Sequence, residues 1–332
     1  MDKNSISRLG HLENTIGIFI IFGIMIALMN AGMINRYHQG IIIVIFINII
    51  LATSLNFITG CLGELALGHA GFMAIGAYTA SFVTLNMNLG LPGTVQLIIS
   101  LLLGGLLAGI FGIIIGIPVL RLEGDYLAIT TLGFGEMIRV AIFNLDFLGG
   151  ARGIFGIPRL TNFNVIFWIT VIIIFVLFRI IRSRHGRAIL AIRENVIAAE
   201  SVGIPTVFYK IFTFAISAFI AGVGGGLLAH YLTIIDPKTF NFAYSIDILI
   251  FVVLGGMGSF TGAVIGAIIL TIMPEFLRVG GIQEYRFLIK AILLIILMIF
   301  RPKGILGRAE FSLVQTLEFI KCKIFKNAKK PT

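Results

Sequence analysis

The sequence predicts an all-α, polytopic membrane fold of about 8–10 transmembrane helices, with discontinuous or re-entrant segments. Three observations carry this. Of 332 residues, 58% are hydrophobic and 12% charged, against about 45–50% and about 25% in a soluble domain. The apolar residues fall in stretches of the length that crosses a bilayer, about 20 residues, separated by short polar breaks. Two of those stretches are interrupted by clusters of glycine. A closed barrel would instead need short segments of alternating polarity. A soluble globule, a single-pass anchor and a secreted disulfide scaffold are excluded. The net charge of +10 would suggest nucleic acid in a soluble protein. Here the basic residues gather beside apolar spans and read as topology signals, so no nucleic-acid partner is expected.

The whole chain, 1–332, reads as a single transmembrane domain. Its first stretch, Thr15–Ile34, follows Lys3 and Arg8. It is long enough to span and lacks a small-residue cleavage site, so it is read as a helix rather than a signal peptide. Further spans are expected near Gly40–Thr59, Phe72–Leu89, Thr94–Ile117, Tyr126–Leu145, Phe163–Ile181, Tyr209–Tyr231, Asp247–Met273 and Tyr285–Phe300. The longest internal polar segment, 182–208, carries Arg182, Arg184, Arg187 and Arg193 near the membrane edge. Lysine and arginine beside spans favour the cytoplasm, which also takes the tail 301–332 with Arg301, Lys303, Arg308, Lys321, Lys323, Lys326, Lys329 and Lys330. Counting back six spans puts the N-terminus inside as well. Counting forward, three full crossings would strand the basic tail outside. The stretch Asp247–Met273, interrupted by Gly255, Gly256, Gly258 and Ser259, is therefore expected to be a hairpin of two half-helices. Irregular backbone at that depth needs protein or a water-filled cavity around it.

A second break lies at 60–71, where Gly60, Gly63, Gly68 and Gly71 surround Glu64 and His69. Glycine-interrupted spans in two halves of a chain point to a transporter built around a central path. The repeat is weak: Gly71 to Gly76-Ala77 resembles Gly262 to Gly266-Ala267 with the spacing off by one. Small-residue ladders at Gly105 and Gly109, Gly112 and Gly116, Gly222 and Gly226, and Gly258, Gly262 and Gly266 predict close helix packing.

Enzyme chemistry finds no support. The Gly-Lys dipeptide that a phosphate-binding loop requires is absent, so this chain does not bind ATP by that route. No zinc pattern and no nucleophile elbow occurs, and no catalytic residue, metal or cofactor is expected. Cys61 and Cys322 imply no disulfide framework, and His230 reads as a packing residue. A charge inside the membrane costs at least about 2.5–3.5 kcal/mol and needs a reason; the candidates are Glu64, His69, Glu136, Arg139 and Lys290. Glu136 and Arg139, three apart, share a helix face and read as a structural ion pair. Glu64 and His69 lie where water or a substrate can reach them, and function and structure stay equally open. A proton relay would need acids on several facing helices, whereas Glu123, Asp125, Asp146, Asp236 and Glu275 fall at span ends or in loops. Ser183 to Pro205 reads as a short surface helix ended by Gly203 and Pro205, either an ordinary basic loop or a docking segment.

Several stretches together resemble the membrane permease subunits of ATP-driven importers for branched-chain amino acids, specifically the M-type subunit. They are Asn56 to Gly60 with Leu67 to Phe72 and Ile75 to Tyr78, then Gly124 to Leu132, Gly149 to Ile154, Gly186 to Ala188 with Arg193 to Asn195, Lys210, Gly255 to Ser259, and Arg301 to Gly307. The resemblance runs from about Ile43 to Gly307. It implies a heteromeric importer in the prokaryotic plasma (inner) membrane. Its other parts would be a second permease subunit, two cytoplasmic ATPase subunits and an extracytoplasmic substrate-binding protein, all acting within membrane lipid. It further implies that Arg184, Gly186, Arg187, Arg193, Glu194, Ala198, Ala199 and Gly203 couple to the ATPases. Ile197 stands where many importers carry a leading Glu. An aliphatic zwitterion needs a path with small, weakly polar walls; Asn56, Gly63, Glu64, His69, Thr130, Thr131, Gly256 and Ser259 are expected near it. Gly149, Gly150 and Arg152 are expected to meet the binding protein. Alternatives are a cargo of urea, amides or other amino acids within the same family, or a self-sufficient secondary carrier.

Overall fold

The computed structural model describes residues 35–87, 90, 92–122, 124–279, 285–301 and 304–307. The expected helix Thr15–Ile34, Glu123, the Lys290 side chain, Cys322 and nearly all of the basic tail lie outside the described residues. The chain divides into two units, 1–40 with 309–332 and 41–308. Nearly all described residues belong to the second.

Helix α1 (Arg36–Asn56) runs straight into a π-helical turn, Phe57–Leu62. There follow α2 (His69–Asn86), α3 (Gly93–Val119), α4 (Asp125–Phe143), α5 (Phe163–Arg182), α6 (Arg184–Glu194), α7 (Val196–Ser201), α8 (Thr206–Leu232), α9 (Phe242–Gly255), α10 (Phe260–Val279) and α11 (Arg286–Phe300). Two-residue strands β1 (Ile154–Phe155) and β2 (Ile234–Ile235) pair antiparallel, Ile154 opposite Ile235.

Six of these helical stretches are long and apolar enough to cross a membrane: Arg36–Leu62, Gly93–Val119, Asp125–Phe143, Phe163–Arg182, Thr206–Leu232 and Phe260–Arg278. Five of the expected spans match five of these within a few residues, whereas Phe260–Arg278 takes up only the second part of the expected Asp247–Met273. Helix α2 has 18 residues but carries His69, Ser81 and Thr84 on its buried surface. Its surroundings are other helices, so it does not need the apolarity that lipid demands.

The expected hairpin of two half-helices requires correction. Helix α9 has 14 residues, about 21 Å at 1.5 Å per residue, and falls short of a hydrocarbon core of about 30 Å. Helix α10 has 20 residues and reaches across. The break is where predicted, but it joins one short helix to one of full length. The turn survives because Gly256 and Gly258 sit at φ 117° and φ 94°, left-handed conformations that glycine adopts without penalty.

At the centre, α2, α3 and α8 pack through glycine. A Cβ at Gly76 would run into the backbone of Gly222, and a Cβ at Gly104 would come within 2.8 Å of the Gly76 carbonyl. Backbone contact of this kind replaces the hydrophobic driving force that lipid removes. The same device closes the α9–α10 hairpin, where Gly262 faces Gly255 and Gly266 faces the Phe251 carbonyl. The ladder glycines thus serve packing, as expected. His230 does too: its Nδ1 donates to the Gly226 carbonyl at 2.8 Å, and its Nε2 lies 3.1 Å from Thr84 Oγ1. Helix α1 joins this core by a reciprocal pair, each of the Ser54 and Ser217 hydroxyls donating to the other residue's carbonyl at 2.7 Å.

Candidate functional site: two helix breaks beside an amphipathic segment

The segment 182–208 folds as two helices, where one short helix was expected. Ser183 Oγ accepts from the Gly186 amide at 3.4 Å and starts α6 directly behind α5. Gly186 is required at this corner, because a Cβ there would strike the backbone of Ile181. Asn195 is extended, ends α6, and accepts from the Ala198 amide at 2.9 Å to start α7. A capping side chain inside the run splits it, since its oxygen competes for the helix amides. Gly203 at φ 82° closes α7, and Pro205 precedes α8.

Helix α6 buries Gly186, Ala188, Ile189 and Ile192, a period-of-3.6 stripe. The opposite surface is open: Arg184, Arg187, Glu194, Ala198 and Gly203 are exposed, as are Ile197 and Val202, while Ala199 is buried and holds α7 down. The covered side of α6 lies on the α1 break. Gly63, at φ 88°, ends the π-turn with its amide on the Ile58 carbonyl at 3.0 Å. A Cβ at Gly63 would come within 2.8 Å of Arg193 Cγ. Arg193 Nη1 donates to the Gly60 carbonyl at 2.9 Å, and Nη2 pairs with Glu194 at 2.8 Å.

The α9–α10 break joins the same cluster. Asn56 Oδ1 accepts from the Gly258 amide at 2.9 Å, while its Nδ2 is buried without a hydrogen-bond partner among the described residues. Glu64 pairs with Lys210, in the second turn of α8, at 2.6 Å with both side chains largely buried. Sequence reasoning placed Glu64 near a path and missed its partner; the available signal was one lysine just inside an apolar span. Ser259 is fully buried and accepts from the Gly262 amide at 3.0 Å, starting α10. Gly256 is covered by the 304–307 loop, whose Ile305 and Leu306 amides donate to the Leu254 and Gly255 carbonyls. Nothing in the local sequence announces that contact.

Of the remaining expected path residues, His69 and Thr131 lie around the start of α2. Thr131 Oγ1 accepts from the Leu67 amide at 2.9 Å, and Ser245 Oγ accepts from the Ala70 amide at 2.9 Å. His69 is buried, with Nε2 lacking a hydrogen-bond partner among the described residues. Thr130 is partly exposed and donates to its own helix at the Tyr126 carbonyl. Asn56, Gly63, Glu64, Gly256 and Ser259 therefore gather around the two breaks, His69 and Thr131 lie around the start of α2, and Thr130 turns back onto its own helix. Glu136 holds Arg139 at 2.7 Å and accepts from the Phe242 amide at 2.8 Å. This carboxylate caps α9, which agrees with the structural reading.

Gly149, Gly150 and Arg152 sit at the far end of α8. Gly149, Gly150 and Gly153 all have positive φ and bend the chain into β1, which pairs with β2 just past Leu232. Gly149 and Arg152 are exposed, and Gly150 is buried. Helix α8 has 27 residues, about 40 Å, so this loop and the α6–α7 segment lie at opposite ends of a membrane-length helix. Among the described residues, no group of three or more His, Cys, Asp or Glu side chains could hold a metal.

Membrane-length helices, two glycine-bearing helix breaks and an amphipathic segment against them define the membrane subunit of a transporter. The chain belongs to the family described as "Branched-chain amino acid transport system / permease component", matched over residues 37–298. It is 37% identical over 324 residues to the high-affinity branched-chain amino acid transport system permease protein LivM of Escherichia coli (strain K12), covering 87% of this chain and 74% of that protein. It is 33% identical over 187 residues to the permease protein LivH of Salmonella typhimurium, covering 56% of this chain and 60% of that one. A probable LivM permease of Methanocaldococcus jannaschii is 25% identical over 238 residues, covering 63% and 68%. No solved structure matches.

Proposed function

We propose that the chain is a permease subunit of an ATP-binding-cassette importer in the prokaryotic plasma membrane, forming with a second permease subunit the path for leucine, isoleucine and valine. The observation that carries this is the α6–α7 segment. One of its sides is buried and meets the α1 break, where Arg193 reaches the Gly60 carbonyl, and the other, with Arg184, Arg187, Glu194, Ile197, Ala198 and Val202, lies open. An ATPase subunit docked on the open side would pull directly on that break. ATP hydrolysis itself belongs to the partner subunits, consistent with the missing phosphate-binding loop. Conformational energy then enters through the different affinities of the partners for the two states, and this chain needs bistable packing rather than catalytic residues.

The positive-inside reading places 182–208 and both termini in the cytoplasm. The Gly149–Arg152 loop, about 40 Å away along α8, then faces outward to the binding protein. Helix α4 supports a path on its flank. It is the least apolar of the six candidate spans, yet Tyr126, Ile129, Met137 and Val140 are exposed along it. A surface less apolar than its neighbours but left uncovered suits a partner subunit or a watery path better than lipid, and Thr130 sits beside it. Cargo within the family, urea or other amides included, is chosen largely by the binding protein.

The test is co-purification of the tagged chain from its native membrane, with uptake of labelled leucine in the presence and absence of ATP. Recovery of a second permease and an ATPase pair, with ATP-dependent uptake, supports the reading. Recovery of the chain alone, with ATP-independent transport, overturns it in favour of a self-sufficient carrier. Arg187→Glu should lower uptake without loss of membrane insertion; unchanged uptake counts against docking.

A further inference from the structure

The α1 break is held from two sides by two cations on different helices. Arg193, on α6, donates Nη1 to the Gly60 carbonyl at 2.9 Å. Lys210, on α8, pairs with Glu64 at 2.6 Å. Gly60 and Glu64 bracket the end of the π-turn and the left-handed Gly63. Helix α8 is part of the glycine-packed core, where a Cβ at Gly222 or Gly225 would strike α3 or α2, so Lys210 fixes Glu64 to a rigid element. Helix α6 is a separate short helix bounded by the extended residues Ser183 and Asn195, and Arg193 is carried on it.

The second break is tied to the same point. The Gly258 amide is bound to Asn56 Oδ1 at 2.9 Å, and Arg193 Nη1 lies 3.2 Å from where a Gly258 Cβ would be. Gly60 has no room for a side chain of its own, since a Cβ there would meet both Asn56 Oδ1 and the Gly258 amide. The guanidinium is oriented by Glu194, which takes Nε and Nη2 and leaves Nη1 for the carbonyl. A π-turn is rare and tends to occur at functional positions, and one with a charged donor on a carbonyl near its end can be pulled from outside the helix.

Resting on the importer reading above, we propose that Arg193 is the positioning residue that transmits movement of the coupling helix to both helix breaks, with Lys210–Glu64 as the fixed anchor against which it works. A displacement of α6 relative to α8 stretches the break between Gly60 and Glu64 and shifts Gly258 through Asn56. Arg193 touches neither ATP nor cargo; its role is mechanical. Lysine, with one compact charge, reaches the carbonyl but loses the fork that Glu194 orients.

The assembled transporter provides its own probe, because Cys61 is buried within the π-turn between the two tied residues. In a Cys322→Ser background the chain keeps one of its two cysteines. Maleimide labelling of Cys61 should then change between nucleotide-free and ATP-bound states of the wild-type assembly. In Arg193→Met that change is lost and leucine taken up per ATP hydrolysed falls about tenfold, the effect of removing one hydrogen bond to a charged group. Co-purified ATPase stays at the wild-type level. Arg193→Lys should recover part of the coupling, which keeps the test valid if Arg193→Met does not assemble. Wild-type coupling together with wild-type labelling in Arg193→Met, or in Arg193→Lys where that alone assembles, overturns the proposal while leaving the importer reading intact. A wild-type chain that recovers no ATPase overturns the importer reading and this inference with it.

Discussion

The α2–α3–α8 core and the cluster at the two breaks are built on opposite rules. In the core, contact is made by absence: Gly76, Gly104, Gly222 and Gly225 let backbones touch, and little stands between them that could move. At the breaks, contact is made by reach. Arg193, Lys210 and Asn56 extend polar side chains to a carbonyl, a carboxylate and an amide. Backbone contacts admit one geometry, whereas long side chains tolerate displacement and can be remade. The comparison teaches where the molecule stays fixed and where it can switch.

The largest effect should come from filling the core. Gly76→Leu places a side chain into the backbone of Gly222, and no rotamer relieves a clash with backbone. Folded monomer should vanish from detergent size-exclusion profiles, and a normal peak would show the core to be looser than its contacts imply. Next is the anchor. Lys210→Met strands Glu64 without its partner, and breaking a buried pair costs about 3–5 kcal/mol. Thermal unfolding in detergent should record a large loss, with much of it restored by adding Glu64→Gln. A double variant no better than the single one would mean that the pair acts through something other than its charge.

Smaller effects sharpen the contrast at its edges. Asn195→Ala removes the cap that separates α6 from α7 and should cost about 1 kcal/mol. A larger drop in uptake than in unfolding temperature would identify the junction as functional. Glu136→Gln touches a pair in which both side chains keep about a quarter of their exposure, 28% and 26%, where solvent-screened pairs contribute about 0–1 kcal/mol. Its neutral amide oxygen can still cap α9, so stability should barely change. A severe loss of uptake would move Glu136 and Arg139 from structure to path.

How much of this was legible differs by element. The spans were readable because lipid imposes length and apolarity on each helix separately, and the glycine breaks were readable because glycine is the residue that permits them. The α9–α10 hairpin was found by charge parity, yet its proportions were not, since a helix inside protein is free of the length rule. The corner at Ser183 and Gly186 was not read, because the contact of Gly186 with the Ile181 backbone that demands it exists only in the folded chain. Asn195 was read as part of a polar helix and turned out to end one.

Sequence by itself determined that this chain crosses a membrane many times, carries no Gly-Lys dipeptide of a phosphate-binding loop, and breaks two spans at Gly60–Gly63 and Gly255–Gly258. Those properties follow from composition and local conformation, which each segment carries alone. Only the tertiary structure decided that the two breaks meet, with residues 202 positions apart joined by one hydrogen bond, and that Arg193 and Lys210 hold the same turn from two sides. The reason is physical: a charge reports that it needs a partner, and packing chooses which.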